Sequence, residues 1–143
     1  MIRIHGTCID IDGAGVLLRG ASGSGKSDLA LRLIDAGARL VADDQVELER
    51  AGDGLAARSP ATIVGMMEVR GLGLFRFDHV PSVVTLVVDL VAAADIERLP
   101  DPASIDFLGV AVPLVRLNPW EISAVAKIKL ALRAALGTAA TVR

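Results

Sequence analysis

The 143-residue sequence has little sulfur and few aromatic side chains. It contains one cysteine, Cys8, and no tyrosine, and aromatic residues make up 3% of the chain. A single cysteine cannot form an internal disulfide, which argues against a disulfide-stapled secreted fold and favours a reducing compartment. Because apolar residues still make up 52% of the chain, the core must be mainly aliphatic, and we expect Cys8 to lie in it as a small apolar residue.

The sequence also lacks an excess of positive charge and a long uninterrupted apolar run. The formal net charge is −2, so there is no broad basic field of the kind that binds nucleic acid. The most apolar segment, VVTLVVDLVAAA, contains Asp89 and is shorter than the roughly 20 residues that span a bilayer. The N-terminus does not have a signal-peptide pattern. We expect a cytoplasmic protein that binds neither nucleic acid nor membranes.

Periodic apolar residues predict more strands than helices. Alternation over Ile2–Asp10, the turn DGAG and the apolar run VLLRG predict an N-terminal hairpin. Further strands are expected in RLVADDQVELER, which has two acids at its middle, and in GLAARS, SVVTLVVDL and VAVPLVRL, whereas the glycines of MMEVRGLGLFRF indicate a bend. The pattern predicts an α/β fold with a mixed β-sheet, in which residues 1–143 form one domain.

Two helices are predicted. The first runs from Lys26 to Ala36 and ends at Gly37, a residue that tolerates positive φ. The second begins with Asn118 as N-cap and Pro119 at the first helical position. Its apolar stripe, which should pack on the sheet, consists of Ile122, Val125, Ile128, Leu132 and Leu136.

The segment LLRGASGSGKSDLALRLIDAG matches the pattern G-x-x-x-x-G-K-[S/T] between a predicted strand and a predicted helix. Its glycines let backbone N–H groups approach phosphates that a Cβ would obstruct. Lys26 would reach the β- and γ-phosphates, and the Ser27 hydroxyl would ligate Mg²⁺. The motif therefore predicts a site for ATP and Mg²⁺ formed by Gly20, Ala21, Ser22, Gly23, Ser24, Gly25, Lys26 and Ser27.

Acids at the ends of apolar strands are candidates for a second functional group. By apolar pattern alone, Asp89 is the better match to a metal-organising aspartate. The adjacent carboxylates of Asp43 and Asp44 repel each other, which favours a nearby cation or substrate proton. One of the pair could accept the hydroxyl proton of a phosphate acceptor. A solvated strand end explains the two acids equally well, so spacing alone leaves both interpretations open.

Two further features suit a transfer site. In EVRGLG, Glu68 and Arg70 share one face of an extended segment, and they would offer a carboxylate to Mg²⁺ and a guanidinium to phosphate oxygens. A surface salt-bridge turn is the alternative. His5 lies in a strand that should neighbour the strand before the glycine-rich motif, where it has either a catalytic or a purely structural role.

In their order and spacing these motifs resemble the C-terminal catalytic domain of HPr kinase/phosphorylase, a bifunctional serine kinase of bacterial sugar-transport regulation. The resemblance covers nearly the whole chain and rests on HG at His5, GVLLRGASGSGKS, RLVADD, EVRGLG, ERLP and VPLVRLN. It implies a P-loop domain similar to the nucleotide-binding domain of phosphoenolpyruvate carboxykinases, which agrees with the expected mixed sheet.

The resemblance also implies roles for individual residues. Asp44 looks like the family's catalytic carboxylate, which takes the proton of the attacking seryl hydroxyl. Ser27 and Glu68 would hold Mg²⁺, whereas Asp89 has no family counterpart and is assigned a structural role. The candidate catalytic residues are Asp44, His5, Lys26, Arg98, Asp43 and Arg70.

The implied activity is phosphorylation of a seryl hydroxyl on an HPr-like phosphocarrier protein, with ATP and Mg²⁺, by a homo-oligomer of unknown order. The chain resembles shortened family members without the usual N-terminal domain, and Leu114 stands where longer members have a basic residue. The reverse phosphorylase reaction is therefore left open. The alternatives are a nucleotide-binding regulatory sensor without transferase activity and a small-molecule kinase on the same scaffold.

Overall fold

The computed structural model describes residues 1–142, in which two α-helices lie on one face of a mixed sheet. The strands are β1 (Ile2–His5), β2 (Thr7–Ile11), β3 (Ala14–Arg19), β4 (Arg39–Ala42), β5 (Gln45–Ala51), β6 (Gly54–Arg58), β7 (Met66–Val69), β8 (Gly73–Arg76), β9 (Ser82–Leu90), β10 (Ala103–Phe107) and β11 (Val110–Leu117), and the helices are α1 (Lys26–Asp35) and α2 (Ala124–Ala135).

The main sheet branches at β9. Its strand order is β1-β5-β6-β9-β3-β2-β4, and the β10–β11 pair joins it through β11 and β9. Strand β9 pairs in parallel with β3 on one side; on the other it pairs with β6 at its start and with β11 at its end. The pairs β3–β9 and β9–β11 are parallel and the remaining pairs are antiparallel. The predicted α/β fold with a mixed sheet is confirmed.

Residues 2–11 and 39–51 form one antiparallel ribbon that bends at its middle. Strand β1 pairs with β5 as far as His5 opposite Gln45, and β2 pairs with β4 from Cys8 opposite Ala42. At the bend, Asp44 has a φ of 68°, and the Gly6 N–H donates to the Asp44 carbonyl over 3.1 Å. The prediction of one unbroken strand through RLVADDQVELER is therefore wrong, because residues 43–44 leave the ladder.

Two apolar clusters pack on opposite faces of the sheet. Successive side chains of a strand point to opposite faces, so Val16 and Leu18 of β3 join the cluster that contains both helices, while Leu17 joins the other cluster. Cys8 belongs to this second cluster and is fully buried, as expected. Because both faces of β3 are covered, its sequence is a continuous apolar run.

Helix α1 follows the prediction closely, but α2 begins later than predicted. The Asn118 side chain does not cap a helix; its Oδ1 accepts the N–H of Trp120 over 3.0 Å, which closes a tight turn. The helix then begins at Ala124. Within the predicted stripe Ile128 and Leu132 are buried, whereas Ile122 and Leu136 are exposed.

The segment MMEVRGLGLFRF contains strands as well as the predicted bend. Strands β7 and β8 pair in antiparallel fashion around residues 70–72, and Gly71 has a φ of 87° in the turn. Buried Met67 joins the helix-side cluster with Leu29 and Leu33 of α1, so this small hairpin packs on the helix. In the described part of the chain, no helix is long and apolar enough to cross a membrane.

Candidate functional site

A glycine loop, residues 20–25, connects β3 to α1. Gly23 and Gly25 have φ values of 79° and 98°, a left-handed conformation that glycine adopts without a Cβ penalty. A Cβ on Gly20 would lie 2.5 Å from the Ser24 hydroxyl oxygen, so the loop closes too tightly for a larger residue there. A turn of this kind before a helix N-terminus forms a concavity that binds anions.

The Lys26 side chain folds back onto the glycine loop and binds its backbone carbonyls. Its side-chain Nζ donates to the carbonyl oxygens of Gly20, over 2.7 Å, and Ala21, over 2.9 Å. Burial lowers the pKa of Lys26, and the negative charges of Asp43 and Asp44 oppose that shift. An ammonium is a strong donor to phosphate oxygens, since charge-assisted hydrogen bonds exceed neutral ones in strength, and bound phosphate oxygens would replace these two carbonyl acceptors.

Asp43 is held beside the start of α1 by two hydroxyl groups. The Ser27 hydroxyl and the Thr7 hydroxyl both donate to Asp43 Oδ1, each over 2.9 Å. Thr7 is fully buried at the start of β2. Sequence reasoning missed Thr7, and its one signal was its place directly after the HG motif. The ribbon bend therefore brings one acid of the pair into contact with the residue that follows Lys26.

Asp44 has different surroundings from Asp43. Its Oδ1 lies 3.3 Å from His5 Nδ1, across the bend, and its side chain is 69% exposed. Asp43 is only partly exposed. The same bend thus provides one carboxylate that is hydrogen-bonded to Ser27 and one that is accessible from solvent.

The oxygen donors around Ser27 fit a magnesium ion. A hydroxyl and a carboxylate lie side by side there, and Mg²⁺ in nucleotide sites is commonly bound by one or two protein oxygens together with water and phosphate. Across residues 1–142, no group of three or more His, Cys, Asp and Glu side chains is arranged to hold a metal. Ser27 and Asp43 could hold Mg²⁺ alongside a bound phosphate.

Three predicted site residues lie apart from these contacts. Glu68 lies in β7, Arg70 lies in the turn after it, and Arg98 lies between β9 and β10. All three are exposed, and the hydrogen bonds around Asp43 do not include them. Their functional roles stay predictions.

Asp89 has a partner that explains its position. Its carboxylate accepts hydrogen bonds from Arg19 Nε and Nη2 over 2.8 and 2.9 Å, and the Arg19 guanidinium lies 5.7 Å from the centre of the Phe107 ring. Because this bidentate pair joins the ends of β3 and β9, Asp89 fits the structural role that the resemblance implied and not that of a metal-organising acid.

A cavity of about 370 Å³ lies beside the glycine loop at the ends of β9 and β11. It is lined by Ser24, by residues 90–93 and by residues 118–120. Thr7, Ser27 and Asp43 meet where β2 and β4 lie, on the other side of β3 from β9 and β11.

Comparison with known proteins shows similarity to HPr kinase/phosphorylases. A family model described as the HPr serine kinase C-terminal domain matches residues 1–128. The HPr kinase/phosphorylase of Cupriavidus necator is 40% identical over 129 residues, which cover 82% of this chain and 40% of that protein. The HPr kinase/phosphorylase of Chlorobium phaeobacteroides is 41% identical over 132 residues, with 82% and 39% covered. The chain thus spans about two fifths of the length of these curated relatives.

A solved structure has the same fold. The Hpr(Ser) kinase/phosphatase of Coxiella burnetii superposes with a TM-score of 0.83 at 27% sequence identity. The match covers 94% of this chain and 95% of that one. The arrangement of the sheet, the glycine loop and the two helices therefore agrees with a fold known from experiment.

Proposed function

The chain belongs to the HPr serine kinase C-terminal domain family, and on that premise we propose that it transfers the γ-phosphoryl group of ATP to a seryl hydroxyl of an HPr-like phosphocarrier protein. The observation that carries the proposal is the ribbon bend at residues 43–44. It combines a carboxylate bound to Ser27 with a second, exposed carboxylate beside His5. A phosphate donor and a protein acceptor can approach these two groups from different directions.

The glycine loop and the residues around it bind ATP, the phosphoryl donor. Backbone N–H groups of the loop and the Lys26 ammonium bind the phosphates, and Ser27 and Asp43 hold Mg²⁺. When bound, Mg²⁺ neutralises charge on the phosphate oxygens. Thr7 keeps the Asp43 carboxylate oriented toward Ser27. We assign Glu68 as a further magnesium ligand, and Arg70 and Arg98 as cations that offset charge on the transferred group.

Asp44 acts on the acceptor. As the seryl oxygen forms its bond to the γ-phosphorus and the bond to ADP breaks, the seryl proton passes to the Asp44 carboxylate. His5 Nδ1, 3.3 Å from that carboxylate, keeps it oriented. The serine of a protein substrate has to arrive from solvent, which favours exposed Asp44 over Asp43, whose Oδ1 already accepts two hydrogen bonds.

The remaining expectations extend this proposal. We assign residues 1–143 to one catalytic domain that works in the cytoplasm as part of a homo-oligomer. In the reverse phosphorylase reaction, an oxygen of inorganic phosphate would form the new bond to phosphorus as the seryl O–P bond breaks, and Asp44 would return the proton to the seryl oxygen.

The direct test is incubation of the purified chain with ATP, Mg²⁺ and an HPr-like carrier, followed by mass spectrometry to detect one phosphate on serine. Asp44→Asn should bind ATP normally and lose transfer by about 10²- to 10⁴-fold, the usual contribution of a general base. Asp43→Asn should weaken Mg²⁺-dependent ATP binding as well, because it alters the group beside Ser27.

Other outcomes would contradict the proposal. Unchanged phosphorylation by Asp44→Asn would refute the assigned base. ATP binding with no phosphate on any carrier would favour the nucleotide-binding sensor, and phosphate on a small metabolite would favour the small-molecule kinase.

A further inference from the structure

The two sides of the glycine loop differ in chemistry. Strands β2 and β4 lie on one side of β3, where the carboxylates and hydroxyls meet, and β9 and β11 lie on the other. The cavity of about 370 Å³ opens on this second side. Its lining is mostly apolar, with the Ser24 hydroxyl and the Asn118 carboxamide as polar groups.

Trp120 stands at this cavity with its indole against the loop. It is 64% exposed, and a Cβ on Gly25 would lie 3.1 Å from its Cζ2 atom and 3.2 Å from its Cη2 atom. The ring therefore touches the loop backbone while much of its surface faces water. A large exposed aromatic surface next to a concave, apolar cavity is typical of a ligand-binding site.

Two hydrogen bonds hold the turn that carries Trp120. The backbone N–H of Trp120 donates to Asn118 Oδ1 over 3.0 Å. The Arg32 guanidinium of α1 donates to the Pro119 carbonyl, so the turn is attached to the helix that follows the glycine loop. An aromatic residue on a turn that is already ordered loses less backbone freedom when it binds a flat ligand.

We propose that Trp120 stacks on the base of the nucleotide whose phosphates lie in the glycine loop, and that the neighbouring cavity receives this base. The inference rests on the proposed function, because it takes ATP as the ligand. The terminal phosphate must face Asp43 and Asp44, so the nucleoside leaves the loop on the opposite side, where Trp120 lies. Stacking on an indole is tolerant of base identity and independent of the phosphates.

The test compares ATP with inorganic tripolyphosphate, which has the phosphates but no base. Trp120→Ala should weaken Mg²⁺-ATP binding about tenfold or more by isothermal titration calorimetry and leave tripolyphosphate affinity unchanged. Trp120→Phe should restore most of the ATP affinity. Ile122→Ala is the matched control, since Ile122 is exposed close by in the chain and lies outside the cavity.

Fluorescence gives a second readout. Trp120 is the only tryptophan and the chain has no tyrosine, so intrinsic emission reports on this position alone. ATP should change the emission strongly, and tripolyphosphate should change it little.

Each contrary outcome has a distinct meaning. Equal loss of ATP and tripolyphosphate affinity in Trp120→Ala would overturn the inference, because Trp120 would then only support the loop. Unchanged ATP affinity in that variant would overturn it too and leave the proposed function standing. Failure of the wild-type protein to bind either ligand would overturn the proposed function and this inference together.

Discussion

At the residue scale, Thr7 shows how a buried hydroxyl can support a site without belonging to a motif. Its hydroxyl donates to the same Asp43 oxygen as Ser27. Hydrogen bonds to charged groups contribute about 1.5–3 kcal/mol. We expect Thr7→Val, which keeps the shape and removes the donor, to raise the Mg²⁺ concentration needed for ATP binding about tenfold. The measurement is ATP affinity across a magnesium titration.

Two controls bear on that prediction. Thr7→Ser keeps the donor and should behave like the wild-type protein. If Thr7→Val unfolded at lower urea but kept the wild-type magnesium dependence, Thr7 would be a core residue with no influence on the site.

Cys8 gives a prediction about pH. Burial, and secondly the charge of Asp10, raise the pKa of the Cys8 thiol from 9.0 to about 12. As the pH rises, the thiol therefore loses its proton at a lower pH in the unfolded chain than in the folded protein. The stability that the protonated Cys8 contributes is complete below pH 9 and is lost as the pH rises toward 12. The slope is roughly 1.4 kcal/mol per pH unit.

Urea unfolding of the wild-type protein and Cys8→Ala at pH 8 and pH 10 checks this sign. The wild-type protein should lose more stability than the variant across that interval. A native thiol that reacts quickly with Ellman's reagent would show instead that Cys8 is accessible.

At the element scale, Glu47 ties three neighbouring strands together. Its carboxylate accepts from Arg3 of β1 over 2.6 Å and from Arg58 of β6 over 3.2 Å. The hydrogen bond from Arg3, followed by that from Arg58, lowers the pKa of Glu47 below 4.5 even though its burial acts in the other direction. This stabilisation is present above pH 4.5 and is lost as the pH falls through the lowered pKa.

We therefore expect wild-type stability to fall more steeply below pH 4.5 than that of Glu47→Gln, measured by urea unfolding at each pH. Glu49→Gln is the matched control, because half-exposed Glu49 forms its ion pair with Arg58 on the protein surface. Exposed pairs contribute little, so this control should follow the wild-type curve. Parallel curves for the wild-type protein and Glu47→Gln would contradict the prediction.

The elements also show where sequence reasoning succeeds and fails. The glycine loop and α1 follow from local rules, because the strand, turn and helix signals are contiguous in sequence. The break at Asp43 and Asp44 does not, since it depends on the pairing of β1 with β5 and β2 with β4. The sequence at Asn118 satisfies local rules for a helix start, but the backbone there forms a tight turn that contacts Arg32 instead of a helix.

At the scale of the whole molecule, the mixed sheet is predictable and its order is not. Apolar periodicity identifies strands, yet β9 pairs with β3, which lies far from it in the sequence, and also with β6 and β11. No local pattern encodes those partners. The branched order nevertheless places the acids on one side of the glycine loop and the Trp120 cavity on the other, so the topology determines the layout of the candidate site.

Nucleotide binding should stabilise the entire fold, because the candidate site joins its main parts. Lys26 and Ser27 begin α1, which packs in one apolar cluster, and Asp43 lies in the ribbon that also contributes to the other cluster. A ligand at 100 times its Kd adds about 2.7 kcal/mol. For a domain of this size that corresponds to a rise in Tm on the order of 10 °C.

Thermal unfolding with and without Mg²⁺-ATP measures this rise, and Lys26→Met should abolish most of it while folding normally, since methionine fills a similar volume. One cooperative transition is expected throughout if residues 1–143 form a single domain. Two resolved transitions, only one of them shifted by ATP, would contradict the single domain. An equal rise in Tm for Lys26→Met and the wild-type protein would place the bound nucleotide away from the glycine loop. Without the Lys26 ammonium, the loop should bind phosphates more weakly.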